Sequence, residues 1–377
     1  MRGIFSFFLF VSVFCGFKSL AITTPQFKNT AIVQESYYIF DKDLQKQIAQ
    51  IPSLTIDHLS QNGFELWGPR GLGQWLQRNQ IRHAPMNNTN IKMAGNDYPT
   101  PEEIAAELVG IAKTNPQLTQ LFSIGKSVQN RDLLVMKIAS NVNQQNDNRP
   151  EFKFIANMHG DEIMGRELMV LLIKDLVSNY GKDEFITKLL DSTQIYIMPS
   201  MNPDGAMART RGNANFIDLN RNFPDFTTSD NQDRPDGRAP ETQAVMKWQA
   251  TRKFILSANF HGGAEVVNYL WDTAKENHPK LNWIQGIALN YAKLAPYIFA
   301  STSFKNGITN GYAWYEVNGG MQDWSTYYRN DLQFTIELSN NKWPSYSTVD
   351  YYYKQNRSAL LYFMSQTHAV SQQFVQY

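Results

Sequence analysis

FKFIANMHGDEIMGREL, residues 152–168, is the stretch that sets the fold class. Its first half, Phe152 to Met158, is a short, mostly apolar run and reads as a β-strand. His159 follows directly, and the turn after it carries Asp161 and Glu162. From Ile163 to Val177 the apolar residues recur at helical spacing. A strand, a tight turn and a helix make one half of a βαβ unit. In open α/β sheets the carboxyl ends of strands are where ligands collect.

The same pattern extends in both directions. Leu133–Ala139, Gln194–Pro199, Phe254–Phe260 and Phe334–Leu338 read as strands. Glu241–Thr251, part of His278–Leu294, and Asp350–Phe363 read as helices. Upstream, Thr100-Pro101-Glu102-Glu103 is a helix start, with Thr as N-cap, Pro in the first turn and Glu at N3. That helix is expected to run to about Lys113, with Ile104, Leu108 and Ile111 on one stripe. The alternation argues for a single α/β domain with helices on both faces of a sheet. There is no internal repeat and no low-complexity tract.

A second histidine ends a strand: His261 follows FILSANF. His159, Glu162 and His261 thus offer two imidazoles and a carboxylate at strand ends. Two His and one Glu with an open position is a ligand set of catalytic zinc. Alone, a His-x-x-Glu pair is more often a satisfied surface contact, so its company decides. The remaining histidines, His58, His83, His278 and His368, have no such company and read as structural or surface residues.

Composition narrows the function. A net charge of +1 over 377 residues excludes a broad electrostatic footprint for nucleic acid. The one cysteine is Cys15. It lies in a leader-like start, where Arg2 precedes an apolar run from Ile4 to Phe17. That run is shorter than the roughly 20 residues a membrane-spanning helix needs. Ser19 and Ala21 form a small-x-small site, so residues 1–21 read as a signal peptide cleaved near Ala21. The product is expected to be secreted or periplasmic, without stable membrane insertion, and monomeric. The mature chain would lack any thiol, which excludes thiol nucleophiles and thiolate metal sites.

Residues 22–92 carry turn signals at Gly68-Pro69, Gly71 and Gly73, and short helical patterns at Leu44–Ile51 and Gly73–Gln80. Asn87–Asn90 reads as linker. This segment is either a pro-segment or an extension, with a permanent extension slightly favoured. Residues 93–377 then form the α/β domain.

Five runs occur in the order of the zinc metallocarboxypeptidases: NMHGDEIMGREL (157–168), RTRGNANFIDLNRNFPD (209–225), NFHGGAEVVNYLWD (259–272), NGYAWYEVNGGMQDW (310–324) and FTIELS (334–339). The chain most resembles the regulatory branch, the carboxypeptidase N, E, D and M group. The resemblance implies an α/β/α sandwich around a mixed, mainly parallel eight-stranded sheet, and one zinc ion. It implies His159, Glu162 and His261 as zinc ligands, with Asp218 bonded to the first ligand's imidazole. Arg211 would steady the oxyanion, and Glu337 would be the general base. Asn220 and Arg221 would grip the substrate's terminal carboxylate, and Tyr315 would close over it. Asn268, Asp272 and Gln322 would line the specificity pocket, with Asp272 facing a C-terminal Arg or Lys. The substrates would be C-termini of peptides or proteins. The regulatory branch's C-terminal β-domain is expected to be absent, since the chain ends soon after Glu337.

Taken singly, Glu337 could be an ion-pair partner, Arg211 and Arg221 surface residues, Tyr315 core packing, and Asp218 or Asp272 a cap. Two other activities remain open. One is a peptidoglycan stem-peptide carboxypeptidase or amidase of the same superfamily. The other is an inactive relative that only binds peptides.

Overall fold

The computed structural model describes residues 33–51, 53–86 and 98–374, with residues 22 and 25. The leader at 1–21 and the linker at 87–90 lie outside the described residues. Twelve strands form two sheets among the described residues. In chain order they are β1 (Glu35–Ile39), β2 (Thr55–Ser60), β3 (Gly63–Gly68), β4 (His83–Pro85), β5 (Thr119–Lys126), β6 (Asp132–Ile138), β7 (Glu151–Ala156), β8 (Gln194–Met198), β9 (Phe254–His261), β10 (Ala264–Tyr269), β11 (Ile308–Asn310) and β12 (Leu332–Ser339).

The large sheet has the order β11-β10-β12-β9-β7-β8-β6-β5. Its centre, β12, β9, β7 and β8, is parallel. The flanks add antiparallel neighbours, β10 on β12 and the β5–β6 pair beside β8. The mixed, mainly parallel sheet is the expected one. The strand alternation sorts side chains between two helical layers. Phe152, Phe154 and Ala156 of β7 join Leu256, Ala258 and Phe260 of β9 on one face. There they pack against the helices Met164–Asn179, Leu281–Leu294 and Val349–Ser365. Ile155 faces the other layer, with Val245 and Met246 of the helix Pro240–Ala250 and Trp324 of the helix Met321–Arg329. Burying each Phe, Leu, Ile, Val or Met side chain among them is worth about 1.5–3 kcal/mol.

The helix Pro101–Thr114 starts as its sequence predicts. The Glu103 amide donates to Thr100 Oγ1 at 3.2 Å, and the Thr100 amide donates to Glu103 Oε2 at 2.7 Å. These bonds satisfy two backbone donors that a helix start otherwise leaves open.

One charged residue interrupts the central strand. Lys153 is fully buried and pairs with Asp331, also fully buried. Its ammonium also lies 3.1 Å from Ser257 Oγ, and Gln249 Nε2 donates to Asp331 Oδ2 at 3.0 Å. A buried pair costs heavily when one partner is removed, because the other charge stays behind. Asp331→Ala should therefore lower stability by about 3–5 kcal/mol. Urea unfolding checks this, and a midpoint equal to the parent's would refute it.

The small sheet, order β2-β3-β1-β4, is antiparallel. Sequence periodicity pointed only to helices here, and those are short: Gln45–Ile48 and Leu72–Arg78. The sheet buries its own apolar cluster, including Ile39, Phe64, Leu66, Trp75 and Leu76. Its β2–β3 hairpin lies against the carboxyl ends of the large sheet's central strands, where it meets Arg211, Tyr315 and Lys342.

Candidate active site

His159 stands three residues beyond β7, and Glu162 stands just before the helix Met164–Asn179. Asn157, in the left-handed region at φ 55°, organises the turn between them. Its side-chain NH2 donates to the carbonyls of His159 (2.9 Å), Gly160 (3.3 Å) and Glu162 (3.3 Å). His261 is the last residue of β9. It pairs in parallel register with Glu337 of β12, and Asn259 pairs with Thr335. Register alone therefore sets His261 and Glu337 side by side on one face.

Three ligand atoms converge. His261 Nδ1 lies 2.8 Å from Glu162 Oε2 and 3.0 Å from His159 Nδ1. His159 Nδ1 lies 3.0 Å from Glu162 Oε2. Two imidazole nitrogens and a carboxylate oxygen share one centre, and all three residues are buried. A divalent cation satisfies that set of lone pairs, and the residue types suit zinc. The surrounding charge agrees. Burial and Arg211 work to lower His159, yet Glu162 and Asp218 hold it up to about 9. The donor set draws positive charge.

The neighbours orient this centre. Asp218 Oδ1 is 3.1 Å from His159 Nε2, and Asp218 Oδ2 accepts from Arg211 Nε at 2.9 Å. Such a carboxylate fixes which imidazole nitrogen carries the proton. Asp218 also caps the turn Leu219–Arg221, which places Asn220 and Arg221. Asn220 Oδ1 accepts the Met321 amide at 3.0 Å, which leaves its NH2 as the donor end. Arg211 Nη1 is 3.5 Å from Glu162 Oε1, so its positive charge lies beside the ligand cluster. Glu337 is buried, and its Oε2 has no hydrogen-bond partner among the described residues. Burial, then the charge of Glu162, push its carboxyl up to about 8.

The cavity at the cluster has a second wall. Asn268 of β10 and Asp272 line it with Arg221 and Tyr315. Asp272 Oδ1 accepts from Asn268 Nδ2 and from Gln322 Nε2, each at 2.9 Å. Burial raises Asp272, more than the Asn268 bond lowers it, to about 6. Asn268 Oδ1 and Gln322 Oε1 are buried acceptors without partners among the described residues. Those two oxygens beside Asp272 are thus left without donors. Gly311 closes one wall, where an added Cβ would lie 1.7 Å from Asp272 Oδ1, so no side chain fits.

All twelve residues singled out from the sequence meet around this centre or stand one contact behind it. Four others in or beside the site went unnoticed: Asn157, Lys342, Asp57 and His58. Asn157 could have been suspected from its place two residues before His159. His58, read as structural or surface, sits in the cleft next to Asp57.

The β2–β3 hairpin fills that cleft. Asp57 is 3% exposed and pairs with Arg211 Nη1. The Tyr315 hydroxyl donates to Asp57 Oδ1 at 2.8 Å. Arg221 Nη2 donates to the Ile56 carbonyl at 3.1 Å, and Trp314 Nε1 to the Leu59 carbonyl at 3.1 Å. With the hairpin in place, the whole cavity from His159, His261 and Glu337 to Asn268 and Asp272 is about 20 Å³. That is room for little more than one water.

Residues 104–359 match the zinc carboxypeptidase family. Carboxypeptidase M of Mus musculus is 40% identical over 295 residues, covering 72% of this chain and 66% of that protein. Carboxypeptidase D of Homo sapiens is 42% identical over 288 residues, which is 70% of this chain. The chain spans about a fifth of that relative's length, 21%. Among solved structures, carboxypeptidase A from Helicoverpa armigera superposes with a TM-score of 0.69 at 16% identity, covering 91% of this chain and 99% of that one. No helix among the described residues is long and apolar enough to cross a membrane.

Proposed function

The chain belongs to the zinc carboxypeptidase family, and from that premise we propose that it is an exported exopeptidase that removes Arg or Lys from peptide and protein C-termini. One observation carries the reading: the His159, Glu162 and His261 cluster lies beside a partnerless carboxylate, Glu337, at the mouth of an acceptor-rich pocket. Export rests on the leader-like residues 1–21.

His159, Glu162 and His261 would hold the metal, which when bound polarises a carbonyl and acidifies water. Glu337 takes a proton from the attacking water and delivers it to the leaving nitrogen. Arg211 stabilises the negative charge that grows on the former carbonyl oxygen. The Arg221 fork, the Asn220 NH2 and the Tyr315 hydroxyl hold the terminal carboxylate, so only the last peptide bond is in reach. Asp272, supported by Asn268 and Gln322, pairs with the cationic side chain of the residue to be released. A guanidinium or ammonium also supplies the donors that the partnerless acceptors lack.

The test is a matched pair of dansylated peptides ending in Arg or Leu. Arg release should exceed Leu release, vanish with a chelator and return with added zinc. Release that a chelator leaves untouched would sink the reading.

A further inference from the structure

Asp323, in the run NGGMQDW (318–324), takes no part in the chemistry described above, yet it is buried behind Asp272. Its Oδ2 accepts the backbone amides of Asp272 at 2.9 Å and Thr273 at 2.8 Å. Gln322, the residue before it, donates to the Asp272 side chain at 2.9 Å. Two successive residues at the start of the helix Met321–Arg329 thus hold Asp272, one by its backbone and one by its carboxylate. A side chain fixed at both ends has little freedom to drift from its partner.

The same turn seats the carboxylate grip. The Met321 amide donates to Asn220 Oδ1 at 3.0 Å, which aims the Asn220 NH2. Gly319 allows the close approach: it lies at φ 73°, and an added Cβ would stand 2.9 Å from the Arg221 carbonyl. A further buried carboxylate ties the loops together. Asp225 accepts the Gly319 amide at 2.8 Å, and the Thr273 hydroxyl lies 3.1 Å from its other oxygen. The Val317 amide donates to the Asp272 carbonyl at 3.0 Å.

A C-terminal Arg or Lys presents a carboxylate and a cation at a separation limited by its own bonds. Consecutive positions of one helical turn limit the separation of the groups that would receive them. We infer that the first turn of the helix Met321–Arg329 is the gauge that sets the carboxylate grip against the side-chain selector, and that Asp323 is the positioning residue of Asp272. The inference rests on the exopeptidase reading for what the gauge measures. The charges suit the role. Asp225 faces both carboxylates, and Arg221 faces Asp272. Burial, then the charge of Asp272, raise Asp323 well above the usual carboxylate range, more than its two amide partners lower it. A proton held on Asp323 leaves Asp272 to carry the charge that meets the cation.

The experiment uses the full-length, zinc-loaded protein with Asp323→Ala and Asp323→Asn. Asparagine has nearly the shape of the protonated acid, and its carbonyl oxygen can accept both amides. kcat and KM are measured for the dansylated peptides ending in Arg and in Leu, together with deuterium uptake across residues 269–274. Asp323→Ala should cut the Arg-to-Leu ratio of kcat/KM by about tenfold or more and raise the uptake. The loss should be carried by KM for the Arg peptide, because the cation is held alike in the ground and transition states. Asp323→Asn should return both readouts most of the way to the parent's. Asp323→Ser, whose shorter hydroxyl cannot span both amides, keeps the test alive if Asp323→Ala does not fold. An Arg-preferring parent whose ratio survives the loss of Asp323 overturns the gauge and leaves the exopeptidase standing. A ratio that falls as far in Asp323→Asn as in Asp323→Ala overturns it too. A parent that prefers Leu, or releases neither residue, fails the exopeptidase reading itself, and the gauge falls with it.

Discussion

Glu337→Gln should leave the protein folded and able to bind zinc, while kcat falls by about 10²–10⁴-fold. The glutamine fills the same space on β12, so the sheet and the three ligands need not move. It cannot take a proton. Stability should not suffer either. Burial and the neighbouring Glu162 raise the Glu337 carboxyl to about 8, above the usual carboxylate range. The folded chain thus binds that proton more tightly than the unfolded chain does. The associated stability is present at low pH and is lost as pH rises from the unfolded value through about 8. A neutral amide avoids that loss, so the variant should unfold no earlier than its parent at pH 7. Since the base must be ionised to work, parental kcat should rise with pH along an acid limb, and the variant should lose that limb. A bound cation pulls the limb lower. Zinc content, thermal unfolding and a pH–kcat profile check these expectations together. Full hydrolytic activity in Glu337→Gln would remove Glu337 from the chemistry.

Asp272→Ala should abolish the preference for basic residues, cutting the Arg-to-Leu ratio of kcat/KM by about 10²–10³-fold. The carboxylate is buried, so its attraction for a cation is little weakened by solvent. The ratio cancels the proposed role of Glu337, which would act on both peptides alike. It also gives a pH signature. Asp272 is raised to about 6, so it is ionised above that pH and neutral below it. The parental ratio should therefore fall as pH drops through about 6, while the variant's ratio should stay flat. A parental ratio that favours Leu, or one that holds constant to pH 5, would rule out Asp272 as the selector.

Much of this could be read from the chain because the informative residues sit where periodicity is strongest. β7 and β9 are short apolar runs, and His159 and His261 stand at or just past their ends. Glu337 was singled out by the resemblance alone, since a lone glutamate in an apolar strand reads first as an ion-pair partner. What escaped notice has physical causes. Lys153 looks anomalous in its strand until Asp331, a residue far along the chain, is placed beside it. β10 begins two glycyl residues after β9 ends, so the two strands read as one motif. The small sheet is built from strands such as Glu35–Ile39, whose alternation is irregular, and a bulge in β2 breaks the period further. Asp57 carries no local signal at all, because its partner Arg211 is 154 positions away. A carboxylate in a polar stretch is ordinarily solvated, and only the folded chain places it between a guanidinium and a phenol.

The parallel pairing of His261 with Glu337 has a further consequence. A ladder of backbone hydrogen bonds acts as a ruler between the proposed metal ligand and the proposed proton carrier. A slip of a single residue would turn one of them to the opposite face. Asp272, Tyr315 and Asp57 answer to different constraints, since they are held by a loop, a short helical turn and a separate sheet. Changes of length or sequence in those parts can retune which chain end is accepted without resetting the ruler. In the proposed reaction, how the bond is cut would thus be written into the sheet, and what is cut would be written around it.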